Sequence, residues 1–264
     1  MTQPTGPPRA QLLRIARQLE KSGKRLEARA LRAVIAAYAE ISLTDLVALL
    51  QGASQPLYAA GRVANLDMLM RTFQQATASL ARPPSQVASL LTNAVNLGSV
   101  TGAEMIAAAA RNPDIIEAFR LRPDREIDLA QHASKRLLTY WGAEQARLAD
   151  QVQSPLLEGL ERGQGPREMA ARLRERVSVS KSRALLIART ETARAMSAGS
   201  EVTQREAGVT EYEWLATNDS RTRPEHRARD GKIFRWDDPP SGGHVGTEPN
   251  CRCVALAVIP EGFR

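Results

Sequence analysis

The sequence predicts a predominantly helical α+β protein. A helical N-terminal half, residues 1–150, is joined to a small C-terminal α+β domain, 151–264, that contains a short antiparallel sheet. Three observations lead there. Ala, Leu and Arg recur through the 264 residues while aromatic residues make up only 4%, and those three types give up little side-chain freedom in a helix. Apolar residues return at three- and four-residue spacing as far as about Glu206. Beyond Gly208 the period becomes two, in "TEYEWLAT", "GKIFRW" and "CRCVALAVI".

Taken in order, "MTQPTGPP" is a loose leader. From Arg9 an apolar stripe of Leu12, Ile15, Ala16, Leu19, Leu26, Ala30, Val34 and Tyr38 marks the first helix, with Ser22-Gly23 as the expected kink or split. Further helices are expected near 43–51, 57–81, 85–97, 102–111, 114–121 and 125–148. The breaks fall at "RPPS" (82–85), "NPD" (112–114) and "RPD" (122–124), where Pro ends one helix or opens the next. Gly163 and Gly165 form a loop before a short helix striped by Met169, Leu173 and Val177. Ser178 or Ser180 is placed to cap another helix, which ends near Glu206 with Gly208 as its left-handed stop. "DDPPSGGHVGTEPN" is a Pro/Gly-rich loop between the second and third strands, of the kind that carries sites.

The chain carries 36 Lys and Arg against 29 Asp and Glu, a formal net charge of +7. Two stretches hold the excess. Residues 1–40 have 8 bases against 3 acids and residues 161–194 have 9 against 4, on either side of a near-neutral middle. Acidic partners suit such a balance, although solvated helix faces also produce it. No run approaches the ~18 apolar residues of a membrane-spanning helix, and "MTQPTGPPRAQ" has no apolar segment of the secretory kind. Two cysteines are no disulfide framework, so a reducing cytoplasm is the expected place of synthesis.

Those cysteines, Cys251 and Cys253, stand two apart after Pro249-Asn250. In an extended strand their Cα atoms would lie about 6.5–7 Å apart, the upper edge of disulfide reach. They can be small apolar groups on the inward face of a strand continued by Ala255 and Ala257. Alternatively His226, His244, Cys251 and Cys253 supply two nitrogens and two sulfurs, the number a closed zinc site needs. Upstream, in "TNDSRTRPEHRARDGK", Asp219, His226 and Asp230 could act as acid, base or metal ligand, with Arg221, Arg223, Arg227 and Arg229 holding phosphate. That is the reading as a metal-dependent nuclease or toxin-like enzyme using His226 and Asp230. No nucleophile stands at fixed spacing from a base and no Gly-rich phosphate loop precedes a helix, so the expectation is a protein that is not an enzyme. In "IARTETARA", Glu191 lies on one helix face with Ile187 and Ala195. It either bonds the first strand's turn or forms a surface pair with Arg194.

In order, the pieces form a series: Arg189-Thr190-Glu191, Trp214, Asp219 with Arg221, His226, Asp230-Gly231, and Asn250-Cys251-Arg252-Cys253. Over about residues 155–260 this series resembles the phage Mu protein F-like family of minor head and head-morphogenesis proteins. The resemblance implies a virion component of a tailed phage or prophage, assembled in the host cytoplasm. It would lie at the portal vertex with the packaged DNA and act in procapsid assembly or DNA delivery. Implied partners are the portal protein, contacted by the helical half, other capsid proteins, and double-stranded DNA through phosphate. Arg172, Arg174, Arg176, Lys181, Arg183, Arg223, Arg227 and Arg229 are the expected phosphate contacts. Many relatives carry Cys-x-x-Cys where this chain has Arg223 and His226. Arg223 cannot ligate, so a zinc site here requires His244.

Overall fold

The computed structural model describes residues 7–44, 46–48, 62–81, 84, 86–162 and 164–259. Residues 1–6 of the expected leader 1–8, most of the expected break at 82–85 and parts of the expected helices at 43–51 and 57–81 lie outside the described residues, while Pro7 and Pro8 of that leader already belong to the first helix. The long helices are α1 (Pro7–Ala39), α2 (Arg62–Ala76), α3 (Gln86–Ala110), α5 (Pro123–Glu161) and α6 (Pro166–Glu206), with a one-turn α4 (Ile116–Phe119) between α3 and α5. The sheet strands are β1 (Glu211–Leu215), β2 (Ile233–Arg235) and β3 (Val254–Val258), with the short α7 (Pro224–Arg229) between β1 and β2. β1 is central and antiparallel to both neighbours, in the order β2-β1-β3. The predicted fold class, helical with a short antiparallel sheet near the C-terminus, is the one found.

Four expected breaks are absent. α1 runs through Ser22-Gly23, α3 through Gly98, α5 past Pro155 to Glu161, and α6 through Ser178 and Ser180. The glycines mark close approach instead. A Cβ on Gly98 would lie 1.9 Å from the Met196 carbonyl oxygen, and one on Gly199 would lie 2.2 Å from that of Val95. α3 and α6 therefore cross with their backbones almost touching, and Ser99 Oγ meets Thr203 Oγ1 at 3.2 Å beside the crossing. Pro155 removes one backbone donor, but Val152 and Leu156 flank it almost fully buried and hold the helix in place. α6 does end where expected. Gly208, at φ 82°, lets its own N–H and that of Val209 reach back to Arg205 and Gln204.

Two compact units result. One contains the described parts of Met1–Leu31, Gln86–Lys135 and Leu186–Arg264; the other contains Arg32–Ser85 and Arg136–Leu185. In the second, Ser180 caps nothing. Its hydroxyl donates to the fully buried Glu144 at 2.6 Å and so accepts from Tyr38 at 2.5 Å. Arg147 completes the Glu144 pairing. A buried carboxylate with such partners is tolerable where a lone one is not, and burial pushes the Tyr38 hydroxyl up to about 12.

In the first unit both faces of the sheet are covered. Leu256, with Leu215 and Val254 beside it, packs on Leu12, Ala16, Met105 and Ile106 of α1 and α3. On the opposite face Tyr212, Trp214 and Ala216 meet Trp236, Val245 and Ala255, and the Tyr212 and Trp236 rings are 4.1 Å apart. That explains why Tyr212, Glu213 and Trp214 are buried in succession. Glu213, on the helix-covered face, is held by Arg9 at 2.5 Å, a pair not anticipated from the sequence.

Candidate functional site: a polar clasp around two thiols

The loop after β1 is built on Asp219. Its carboxylate accepts the backbone N–H of Arg221 at 3.0 Å, an Asx-type turn, together with the Thr222 hydroxyl. It then receives the Arg252 guanidinium in two bonds, at 2.6 and 2.7 Å. Planar, bidentate Arg–carboxylate pairing of this kind fixes orientation as well as distance. Asp230 closes the other end of the loop: its two oxygens accept Ala216 N at 2.8 Å and Asn218 Nδ2 at 2.6 Å. Gly231, at φ 74°, sends its N–H to the Trp214 carbonyl.

The Arg252 pair holds the Asp219 carboxyl well below the usual carboxylate range. A group with a lowered folded-state pKa contributes stability above its unfolded value and loses it as pH falls. Asp219→Asn is therefore expected to melt below wild type at pH 7. The gap should stay constant down to about pH 5 and narrow below about pH 4, where the unfolded-state carboxyl begins to take up its proton. A gap of constant width from pH 7 to pH 3 would contradict this account.

α7 carries His226, which is 3% exposed. Its ring stands edge-on to Trp214 at 5.3 Å. Nε2 lies 3.1 Å from Glu248 Oε2; with its proton on Nε2 the ring donates to that carboxylate and Nδ1 presents its lone pair. That lone pair faces sulfur: Nδ1 is 3.7 Å from Cys251 Sγ and 3.5 Å from Cys253 Sγ. The cysteines are not on the strand, as the apolar-face reading supposed. Asn250, at φ 58°, turns the chain, Cys251 N bonds the Glu248 carbonyl, and β3 starts only at Val254. Both thiols are free. Donation from Cys253 pulls the Cys251 thiol down to about 6, helped by the N–H groups of Cys253 and Gly246, while the Cys253 thiol beside it is pushed up.

Nδ1 and the two sulfurs lie within 4.8 Å of one another. Tetrahedral bonds of about 2.0–2.1 Å to nitrogen and 2.3 Å to sulfur would put N and S about 3.5 Å apart. In type and spacing these three donors suit zinc, one short of the four of a closed structural site, with Glu248 placed as the carboxylate that orients a ligating histidine from behind. Among the described residues the cluster does not include His244. The Nδ1 of His244 meets the Tyr212 hydroxyl at 3.0 Å and its ring lies 5.1 Å from that of Trp236. Nor does Asp230 join His226 in a cluster of metal-binding type among those residues.

The "ARTE" segment of α6 grips this loop. Arg189 donates to Glu27 at 2.6 Å, and Thr190 Oγ1 accepts the Asn250 N–H at 3.3 Å. Glu191, only 4% exposed, takes Arg194 at 2.7 Å, and Arg194 donates onward to the Thr247 carbonyl at 2.8 Å. The Arg194 pair of the simpler reading is thus formed, with its carboxylate buried and its guanidinium part-exposed. At the surface of the clasp Arg223, Arg227 and Arg229 donate to the carbonyls of Pro249, Asp219 and Ser241, Arg227 exposed and the other two part-exposed. On α6, Arg172 lies near Glu158 and Glu168, Lys181 and Arg183 are half-buried, and Arg174 and Arg176 stand exposed. Glu248 is the residue that sequence reasoning passed over. Its one signal was a carboxylate three residues before the first of two paired cysteines.

Residues 150–256 match the family model described as Phage Mu protein F like protein. Over 131 residues the chain is 32% identical to the minor head protein GP7 of Bacillus phage SPP1, covering 44% of this chain and 42% of that protein. An uncharacterized protein of Haemophilus influenzae is 28% identical over 165 residues, 62% of this chain and 34% of its own length. The NAD(+)--arginine ADP-ribosyltransferase EFV of Enterococcus faecalis is 33% identical over 141 residues, 48% of this chain and 28% of that enzyme. The chain thus spans less than half the length of each of these relatives. No solved structure matches it.

Proposed function

We propose, for a chain whose residues 150–256 belong to the Phage Mu protein F-like family, that it is a minor head protein of a tailed phage or prophage. It acts in head morphogenesis, assembles in the host cytoplasm and is carried in the virion. The observation that carries this reading is the 32% identity to the SPP1 minor head protein, beside the family match over residues 150–256. The site's chemistry supports a structural role. The Asp219 and Asp230 carboxylates hold Arg252, the Ala216 N–H and Asn218, and Arg223 and Arg227 donate to backbone carbonyls. The reading gives the chain no reaction of its own.

Within that role the chain sits at the portal vertex, touches capsid proteins and contacts packaged DNA. The DNA contact falls to Arg174 and Arg176, whose side chains face solvent. His226, Cys251 and Cys253 hold one zinc ion as a staple for the loops around β3. When bound, the ion joins α7 to the Cys-Arg-Cys turn.

Mass spectrometry of purified heads is the direct test. The chain should be present in few copies relative to the major capsid protein, and its absence from heads would overturn the reading. With the purified protein, the log of duplex affinity should fall linearly with log salt. The slope should weaken by about one for each of Arg174 and Arg176 replaced by Ala. An unchanged slope removes the DNA contact from this helix.

A further inference from the structure

α1 and the end of α3 enclose an open groove of about 970 Å³ within the first unit. Its floor is apolar, formed by Ile15, Ala107, Ala108 and Ile116. Its rim is cationic: Arg14, Arg17 and Lys21 from α1 and Arg111 from the end of α3, all exposed. Among the described residues none of the four is ion-paired, whereas Arg9, Arg189, Arg194 and Arg252 each have a carboxylate partner. Glu104 also lines the groove, and burial raises its carboxyl above the ordinary value.

Arg111 supplies a second observation. α3 ends as α6 does, with Arg111 N–H returning to Ala108 and Asn112 N–H to Ala107. In α6 the left-handed position of this motif is glycine, Gly208, but in α3 it is Arg111 at φ 55°. A side chain in that conformation costs about 1 kcal/mol or more, and glycine is the usual occupant. Such outliers gather at ligand sites. Here the strained residue is the one that sets a cation across the groove from the α1 cations.

We propose that this groove docks an acidic amphipathic helix of a partner protein. The segment's apolar face would lie on Ile15, Ala107 and Ile116, and its carboxylates would meet Arg14, Arg17, Lys21 and Arg111. The stretch from Gln11 to Lys21 is about 15 Å of helix, which matches two to three turns of a ligand helix lying alongside it. A nucleic-acid backbone fits less well, because it has no apolar face for the floor. This inference stands on unit-one geometry and does not depend on the head-protein reading.

Selection from a display library of random dodecapeptides on the intact protein tests it. Counter-selection uses the Arg14→Glu/Arg17→Glu variant. Enriched peptides should place Asp and Glu on one helical face and Leu, Ile or Phe at three- and four-residue spacing on the other. They should bind that variant about tenfold or more weakly, the equivalent of one well-placed ion pair or more. Arg111→Gly should also weaken them while melting at or above the wild-type temperature, because it relieves the left-handed strain. Enrichment without the acidic pattern, no enrichment at all, or a 12-base-pair duplex that binds through the same four cations would overturn the proposal.

Discussion

Gly98→Ala is expected to destabilise this protein more than any other single-methyl change, by at least about 3 kcal/mol in urea or thermal unfolding, at the upper end of overpacking costs. The new Cβ would sit 1.9 Å from the Met196 carbonyl oxygen, a backbone atom that cannot rotate aside. α3 and α6 would have to separate by about 1 Å, and interiors packed like crystals do not absorb such a gap. The separation would strain the bond from Leu121 N–H to Ser99 Oγ and the Ser99–Thr203 contact, both buried. Gly199→Ala, with its Cβ 2.2 Å from the Val95 oxygen, should behave alike. Gly142 provides the control, being exposed in mid-helix with nothing within 4 Å of an added Cβ. There alanine should stabilise by about 0.5–1 kcal/mol through helix propensity alone. Equal effects at Gly98 and Gly142 would mean that the two helices do not approach as closely as described.

The same glycines show what a one-dimensional reading misses. Period-two runs located all three strands, because alternation of side chains is a local property and each run was bounded by turn residues. Gly208 was legible as a helix stop because the periodic residues end beside it. Gly23, by contrast, was read as an interruption and Gly98 fell between two helices expected separately, yet their missing side chains make room for Met196 of α6, about a hundred or more residues away in sequence. Ser180 was read as a cap because capping is what serine does near a helix start. Its actual partners, Glu144 and Tyr38, come from two other helices. At the clasp, the sequence grouped Asp219, His226 and Asp230 as candidate acid, base or metal-ligand residues. Which of them meets which could not be read, since the pairings with Arg252, Ala216 and Cys251 depend on how β3 returns beside β1.

Zinc analysis of the freshly purified, reduced protein is expected to give one ion per chain, and the pattern of variants discriminates between two ligand sets. If His244 ligates, as sequence spacing suggested, His244→Ala releases the metal. If the ligands are those the fold brings together, His244→Ala keeps it, while Cys251→Ser, Cys253→Ser and His226→Ala each lose it. Glu248→Gln should retain the ion at saturating zinc but bind it about 10–100-fold more weakly, as expected when the carboxylate behind a ligating histidine is neutralised. Because zinc would bind the folded chain and not the unfolded one, chelation should lower the melting temperature. At free zinc a thousandfold above its dissociation constant the loss is about 4 kcal/mol. Metal-free protein that melts identically with and without chelator would leave His226, Cys251 and Cys253 as packing for Trp214. The clasp would then rest on Asp219–Arg252 and Asp230 alone.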